Sequence, residues 1–453
     1  MSGRENLRRE SPHPARPTAA PNPTAAPRKA TMTSLTRAAT VAALTALSIA
    51  ATTAPASSGP AHARHWSAAW SAPMMRPSGA PWFATWAVQG FDHQSVRQVV
   101  RLGAGGTAVR FRLSNAYGTA PLRLTGASVG RAADGAAVVP GTLRPVQFGH
   151  RESVVVPAGG EVLSDPVSLP AAARDRVALT LYFDGPTGPA THHQLSMTTT
   201  YRAGGDHRGD TAATAFGDAV RPGYGSWYYL SGVEVSGAPR AGRAVVAFGE
   251  STTDGFGATV DGDDRYPDLL AERLVAAGRP RPVLNAGIGS NKMLADSACA
   301  GDSALSRFER DVLDLPNVGT VIVSHGMNDI LRTGDQICGV DRDDPPVTLQ
   351  RLIDAHRTLI RAAHVRGVKA VGATLMPFGG APFWTPETDR LRRDLNEWIR
   401  TSGEYDAVAD FDRAVDPAGT GGIPDGYHCG DHLHPSPRGY RAVADSIDLD
   451  SLR

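Results

Sequence analysis

Near Arg243 the chain changes its hydrophobic period, and that change limits the fold more than any other feature. Downstream, apolar runs of strand length at Ala244–Phe248, Pro282–Asn285, Thr320–Ser324, Val368–Leu375 and Ala407–Phe411 alternate with segments of helical spacing. In "YPDLLAERLVAAG", Leu269, Leu270 and Leu274 share a helix face and Gly278 supplies a stop. "VTLQRLIDAHRTLIRAAHVRG" repeats the pattern through Leu349, Leu352, Ile353, Ile360 and Ala363 to Gly367. Strands alternating with helices predict a parallel sheet, because parallel neighbours need a long crossover between them. In such a sheet, chemistry gathers beyond the carboxyl ends of the strands.

Upstream, from His65 to about Ser236, short alternating runs such as "RQVVRL", "TAVRFRLSNAYG", "SVVVPAGG", "RVALTLYF" and "WYYLSGVEV" are separated by Gly, Pro, Asp and Asn. This spacing, without an amphipathic helix, predicts an antiparallel β-sandwich over residues 64–236, a linker at 237–242 and an α/β domain over 243–453. Five of the seven Trp, at 66, 70, 82, 86 and 227, fall in the upstream part. They either stack on sugars, as in a carbohydrate-binding module, or fill a small core; the core is the commoner use.

Residues 1–31 are rich in Pro, Arg and Ala without apolar periodicity, and are read as disordered or as an upstream extension of the true start. Residues 32–63 carry Arg37, an apolar segment from Ala38 to Ala51 and the small-residue site Ala61-His62-Ala63. That is the pattern of a secretory signal peptide cleaved after Ala63, so the chain is expected outside the cell. The apolar segment falls short of the roughly 20 residues a membrane anchor needs. Export favours disulfides. Cys299 and Cys338 both lie in loops after strand-like runs and are expected to pair, a bridge worth about 4 kcal/mol, leaving Cys429 free. The 46 basic and 45 acidic residues leave a net charge of +1 with no basic block beyond the N-terminal tail, which argues against nucleic acid as the main partner.

Four stretches carry chemistry, each placed after a strand. "VVAFGESTTDG" delivers Ser251 from a buried run into a polar turn. "NAGIGSN" leaves backbone N–H groups at Gly289 and Ser290 free to face a ligand. It lacks the third glycine of a dinucleotide loop. "HGMNDI" offers the Asn328 amide, and "CGDHLHPSPRGY" places Asp431 and His434 three residues apart. A serine needs a neighbouring base to lose its proton, and the base needs a partner to hold its tautomer. His434 and Asp431 fit those roles. The N–H groups of Ser251 and of Gly289 or Ser290, with the Asn328 amide, would stabilise the oxyanion of an attacked ester carbonyl.

On these residues the stretch from Arg243 to Leu452 resembles a GDSL-type, or SGNH, hydrolase. Ser251, Asn328, Asp431 and His434 match the blocks of that family one by one. "WSAAW" and "RLSNAYGTAPLRL" resemble the sandwich that precedes this domain in secreted actinobacterial relatives. The resemblance implies a flavodoxin-like three-layer α/β/α domain and a serine ester hydrolase without a cofactor, acting on small esters: acylated carbohydrates, aryl esters or lipids. Two positions depart from the pattern. Glu250 stands where the family has Asp, and the family glycine of the second block aligns with Ser290.

Two rival readings are a carbohydrate-binding protein with a degenerate hydrolase half, for which Glu250 is the best support, and a metal-dependent hydrolase. The latter would draw on His428, Cys429, Asp431, His432 and His434. For the substrate, "MPFGGAPFWTPE" puts Phe378, Phe383 and Trp384 near the carboxyl edge of the sheet. There they would either line an acyl or aryl pocket or pack the next helix.

Overall fold

The computed structural model describes residues 65–79, 85–219, 225–237, 242–331 and 346–453. The expected signal peptide, Trp82, Cys338 and most of the linker lie outside them.

The α/β half is built on five parallel strands, β1 (Ala244–Gly249), β2 (Val283–Gly287), β3 (Val318–Ser324), β4 (Lys369–Ala373) and β5 (Ala407–Ala409), in the order β2-β1-β3-β4-β5. This is the flavodoxin-like order. Helices α1 (Ser251–Asp254), α2 (Tyr266–Ala276), α3 (Ala304–Phe308), α4 (Met327–Leu331), α5 (Leu349–Val365), α6 (Pro386–Thr401), α7 (Phe411–Val415) and α8 (Pro437–Ser446) connect them. Each central strand is apolar on both faces, as a sheet covered twice requires. Val246 and Phe248 of β1 meet Leu352, Leu359 and Ile360 of α5 and Leu395 and Ile399 of α6. Val245 and Ala247 face the other way, onto Leu269, Leu270 and Leu274 of α2 and Tyr440, Val443 and Ala444 of α8. The three-layer architecture is thus the one expected.

Strand ends differ from the apolar runs in two places, each for a local reason. The strand expected over Val368–Leu375 leaves the sheet at Ala373, because the Asn396 side chain takes both backbone groups of Leu375, each at 2.7 Å. The run to Phe411 stops at Ala409, where the Asp410 side chain caps α7 through the Arg413 N–H.

The upstream half consists of antiparallel strands in two main sheets. One runs Trp66–Ser71, Leu230–Ser236, Gly106–Ser114, Glu161–Leu163. The second is centred on Gln94–Arg101 and Arg176–Phe183. Alternate residues Val177, Leu179, Leu181 and Phe183 point into the core they share with Val109, Phe111 and Leu113, while Ala178 faces outward onto Val99 and Val138. Trp70, Trp86 and Trp227 belong to this core. The carbohydrate-binding reading therefore loses them as a stacking platform.

Side chains cross between the halves. Ala68 belongs to the core beneath α5 and α6, and Leu195 and Met197 to the core beneath α2 and α8. Glu272 of α2 accepts hydrogen bonds from Arg101 at 3.2 Å and Arg174 at 2.6 Å. Among the described residues no helix is long and apolar enough to cross a membrane.

Candidate active site

Strand register brings the motifs together. Gly249 of β1 pairs with Gly287 of β2 on one side and Ser324 of β3 on the other, so three strands end level. The turns that follow, from Ser251, Ile288 and His325, leave the same edge of the sheet. Gly249 is needed for close approach: a Cβ there would sit 2.0 Å from Thr253 Oγ1. The buried guanidinium of Arg307 holds two of these turns at once. It donates to the carbonyls of Gly249 at 3.0 Å and Ala286 at 2.8 Å, and to Asn291 Oδ1 at 2.9 Å. Burial pushes its pKa down to about 10 despite the nearby Asp311 carboxylate, which leaves it charged at neutral pH.

Ser251 opens α1, and its Oγ lies 2.7 Å from Nε2 of His434. Nδ1 of the same ring lies 2.6 Å from Asp431 Oδ2. A carboxylate can only accept, so Nδ1 carries the proton and Nε2 is left to receive one from the hydroxyl. Asp431 is itself fixed, its Oδ1 accepting the N–H groups of Leu433 and His434, both at 2.9 Å. Burial works to raise its pKa, but the bonds from His434 and the two amides outweigh it and hold the carboxyl well below the usual range. The Phe256 ring packs 4.4 Å from the imidazole, centroid to centroid.

Asn328 lies in α4 and lines a cleft with Ser251 and His434. The departure at Glu250 has a clear structural use. Its buried carboxylate accepts the N–H of Gly326 at 2.7 Å and of Asn328 at 3.3 Å, so the longer side chain caps the loop that carries Asn328. Burial, with the charge of Asp329 behind it, pushes the Glu250 pKa well up. Asp329 in turn accepts the N–H groups of Met293 at 2.7 Å and Leu294 at 3.0 Å, tying α4 to the chain beyond the second turn.

In the second turn Gly289 and Ser290 differ. The Gly289 N–H is taken by Asp254 Oδ2 at 2.8 Å, so it is not available to a substrate oxygen. The Ser290 N–H has no acceptor among the described hydrogen bonds. Ser290 has φ +59°, the left-handed conformation that explains a glycine in the family pattern and costs a residue with a Cβ about 1 kcal/mol.

The expected aromatic pocket is corrected. Phe378 is fully buried against Leu331 and Ala381, while Phe383 and Trp384 are exposed; none of the three lines the cleft at Ser251. Phe378 packs instead with Leu331 of α4 and Ala381, beside Met327 and Leu433. The cleft, about 30 Å³, is lined instead by Met327, Thr374, Leu375, Met376, Phe411 and Leu433.

The possible metal ligands also separate. Donor atoms of Cys429, Asp431 and His434 lie within 4.8 Å of one another, but Asp431 and His434 are already bonded to each other. His428 Nδ1 accepts the N–H groups of Gly430 and His432, and the His432 ring packs against that of His428 at a tilt, with centroids 4.2 Å apart. The same two side chains hold the Ser251–His434–Asp431 hydrogen-bonded chain, so a metal bound there would compete with it. Cys429 is a free thiol, whereas the expected Cys299–Cys338 bridge involves a residue outside those described.

Residues 247–442 match the model of the GDSL-like lipase/acylhydrolase family. This part of the chain is a GDSL-like lipase/acylhydrolase domain. The α/β half accordingly has the GDSL/SGNH hydrolase fold, and the family its domain matches is one of ester hydrolases. Among solved structures it is similar to an acetylxylan esterase, Axe2, from Geobacillus stearothermophilus, at 19% identity over 47% of this chain and 94% of that one, with a TM-score of 0.36. It is also similar to the lipase/acylhydrolase from Enterococcus faecalis, at 20% identity over 45% and 93%, with a TM-score of 0.35. No curated protein sequence matches the chain.

Arg307, Asp329, Asp254 and His193 were not singled out from the sequence. In "SRFERDVL" Arg307, Glu309, Arg310 and Asp311 are all charged, so nothing in the sequence singles out Arg307.

Proposed function

We propose that the protein cleaves carboxylic esters of short acyl groups by a serine mechanism, with Ser251 as nucleophile, His434 as general base and acid, and Asp431 orienting His434. The hydrogen-bonded chain from Ser251 Oγ through His434 to Asp431, at 2.7 and 2.6 Å, carries this reading. Ser251 Oγ attacks the ester carbonyl carbon as its proton passes to His434 Nε2. The carbonyl oxygen becomes an oxyanion, held by the N–H groups of Ser251 and Ser290 and the side-chain amide of Asn328. The tetrahedral centre collapses, the C–O bond to the alcohol breaks, and His434 returns its proton to the departing oxygen. Water then attacks the acyl-enzyme by the same route, releasing the acid and restoring the Ser251 hydroxyl.

The cleft is small, about 30 Å³, which suits an acetyl group better than a long chain. Its walls at Leu375, Met376, Phe411 and Leu433 are apolar, as an acyl methyl requires. Export from the cell is part of the same proposal and rests on the sequence of residues 32–63. The test is a chain-length series of p-nitrophenyl esters with acetyl-xylan, a feruloyl ester and a lysophospholipid. Acetate turnover well above that of octanoate is expected. Failure to hydrolyse acetate and butyrate at pH 7–9 would refute the reading.

A further inference from the structure

His193 lies in the strand-rich half, in the two-residue strand His192–His193, yet its ring reaches the turn that carries Ser251. Its Nε2 is 2.9 Å from Asp254 Oδ1 and 3.0 Å from the Leu195 carbonyl, and its Nδ1 is 2.9 Å from the Pro73 carbonyl. All three partners can only accept, so both ring nitrogens carry protons and the ring is an imidazolium. Asp254 closes α1, three residues after Ser251, and its other oxygen takes the Gly289 N–H at 2.8 Å. Both side chains are almost completely buried, at 2% and 3% exposure. An ion pair buried this deeply gives little net stability over apolar side chains of the same size, because desolvation offsets the attraction. Its geometry, by contrast, is specific. One carboxylate ties the helix of the nucleophile to the residue before Ser290 and to the neighbouring half of the chain.

We propose that His193 is a positioning residue of the ester-hydrolase site, fixing the Gly289–Ser290 turn relative to Ser251 through Asp254. The strand-rich half is then part of the active-site frame rather than a separable module. The proposal rests on the serine reading above, since it is the Ser290 N–H whose placement the pair controls.

Without the imidazolium, Asp254 loses its partner while its bond to Gly289 remains, and the carboxylate is free to turn. A shift of about 1 Å in an oxyanion donor can lower the rate by as much as 10²-fold. Because the oxyanion exists only in the transition state, the loss should appear in kcat and not in KM.

The test compares wild type, His193→Gln, Asp254→Asn and the double variant on p-nitrophenyl acetate, with thermal unfolding of each. Each single variant is expected to lower kcat about 10- to 100-fold with KM within about threefold, and the double variant to be no worse than the poorer single one. A folded single variant with wild-type kcat, or independent additive losses, would overturn the proposal. If His193→Gln does not fold, Asp254→Asn decides by the same criterion, and if neither folds, the pair is a folding element and the positioning role is refuted. A wild-type protein inactive on every ester would instead defeat the serine reading, so the two failures are distinguishable.

Discussion

The Glu250 carboxylate accepts the backbone N–H of Asn328, although the two residues stand 78 positions apart. That bond converts an apparent defect in the motif into a tether between the nucleophile turn and the amide proposed to hold the oxyanion. Removing it takes from the buried Gly326 N–H its acceptor, at about 1–3 kcal/mol, and from the Asn328 N–H one of its contacts. Glu250→Ala is therefore expected to lower both the melting temperature and kcat. Glu250→Gln keeps one acceptor oxygen and should lose less of each. An alanine variant with wild-type melting and rate would show that the tether has no use, and would revive the degenerate-hydrolase reading.

Loss of Ser251 and loss of Asn328 should be told apart by what survives. Ser251→Ala is expected to lower kcat by several orders of magnitude without unfolding the protein, since a partly exposed hydroxyl at the start of α1 is all that is removed. A serine-directed phosphonate should label wild type and not this variant, read by intact mass. Asn328→Ala should still be labelled, more slowly, with kcat lower by about 10²–10³-fold. Wild-type kcat in Asn328→Ala would end its assigned role, and chelator-sensitive activity unaffected by the phosphonate would favour metal chemistry instead.

The parts of this site that were legible in the sequence are those whose chemistry is local. Ser251, Asn328, Asp431 and His434 each follow an apolar run or sit within a few residues of their partner, so the pattern that builds the sheet also brings them to its edge. Asp254 and His193 are 61 residues apart and belong to regions of different period; only folding brings them together. The choice of Ser290 over Gly289 likewise depended on which N–H Asp254 consumes. Phe378 shows the converse limit. An apolar residue after a strand can line a cleft or pack a core, and what decides here is the partners, Leu331 and Ala381, that folding brings to Phe378.

Two charged pairs give pH signatures of opposite sign. Although burial works against it, the Asp254 carboxylate holds the His193 pKa above its usual value. The charged and titratable groups that act on the pair are His192, which burial and the neighbouring imidazolium push down to about 3, Arg265, bonded to Asp268 at 2.7 Å, and Arg307 and Tyr440, which also feel the Asp254 charge. The stabilisation from protonated His193 is fully present below about pH 6.5, the ordinary histidine value, and is lost as pH rises through the higher folded value. Asp431 is depressed, so its contribution is present above about pH 3.9 and disappears as pH falls through its lower folded value. Melting curves of wild type minus His193→Gln should therefore converge at alkaline pH, and those of wild type minus Asp431→Asn at acid pH. A difference that stays constant with pH in either series would contradict the charge state assigned to that residue.

The last prediction concerns Cys429, whose N–H bonds the His434 carbonyl at 2.9 Å while its thiol faces the Asp431 carboxylate. Burial and that negative charge push the thiol up to about 11, so at pH 8 almost none is thiolate, the form that reacts. Alkylation by iodoacetamide should consequently be far slower in the folded protein than in urea, despite the exposure of the residue. Cys429→Ser should leave ester hydrolysis nearly unchanged, because the sulfur takes no part in the proposed steps. A bulky maleimide forced onto the thiol should slow hydrolysis by crowding: a Cβ added at Gly257 would already lie 3.2 Å from Sγ, and Phe256 beside it packs on the His434 ring. Non-reducing peptide mapping should find Cys429 unpaired and Cys299 linked to Cys338. Rapid alkylation at neutral pH, or a large loss of activity in Cys429→Ser, would mean that the thiol is an active member of the site and would require its place beside Asp431 to be explained anew.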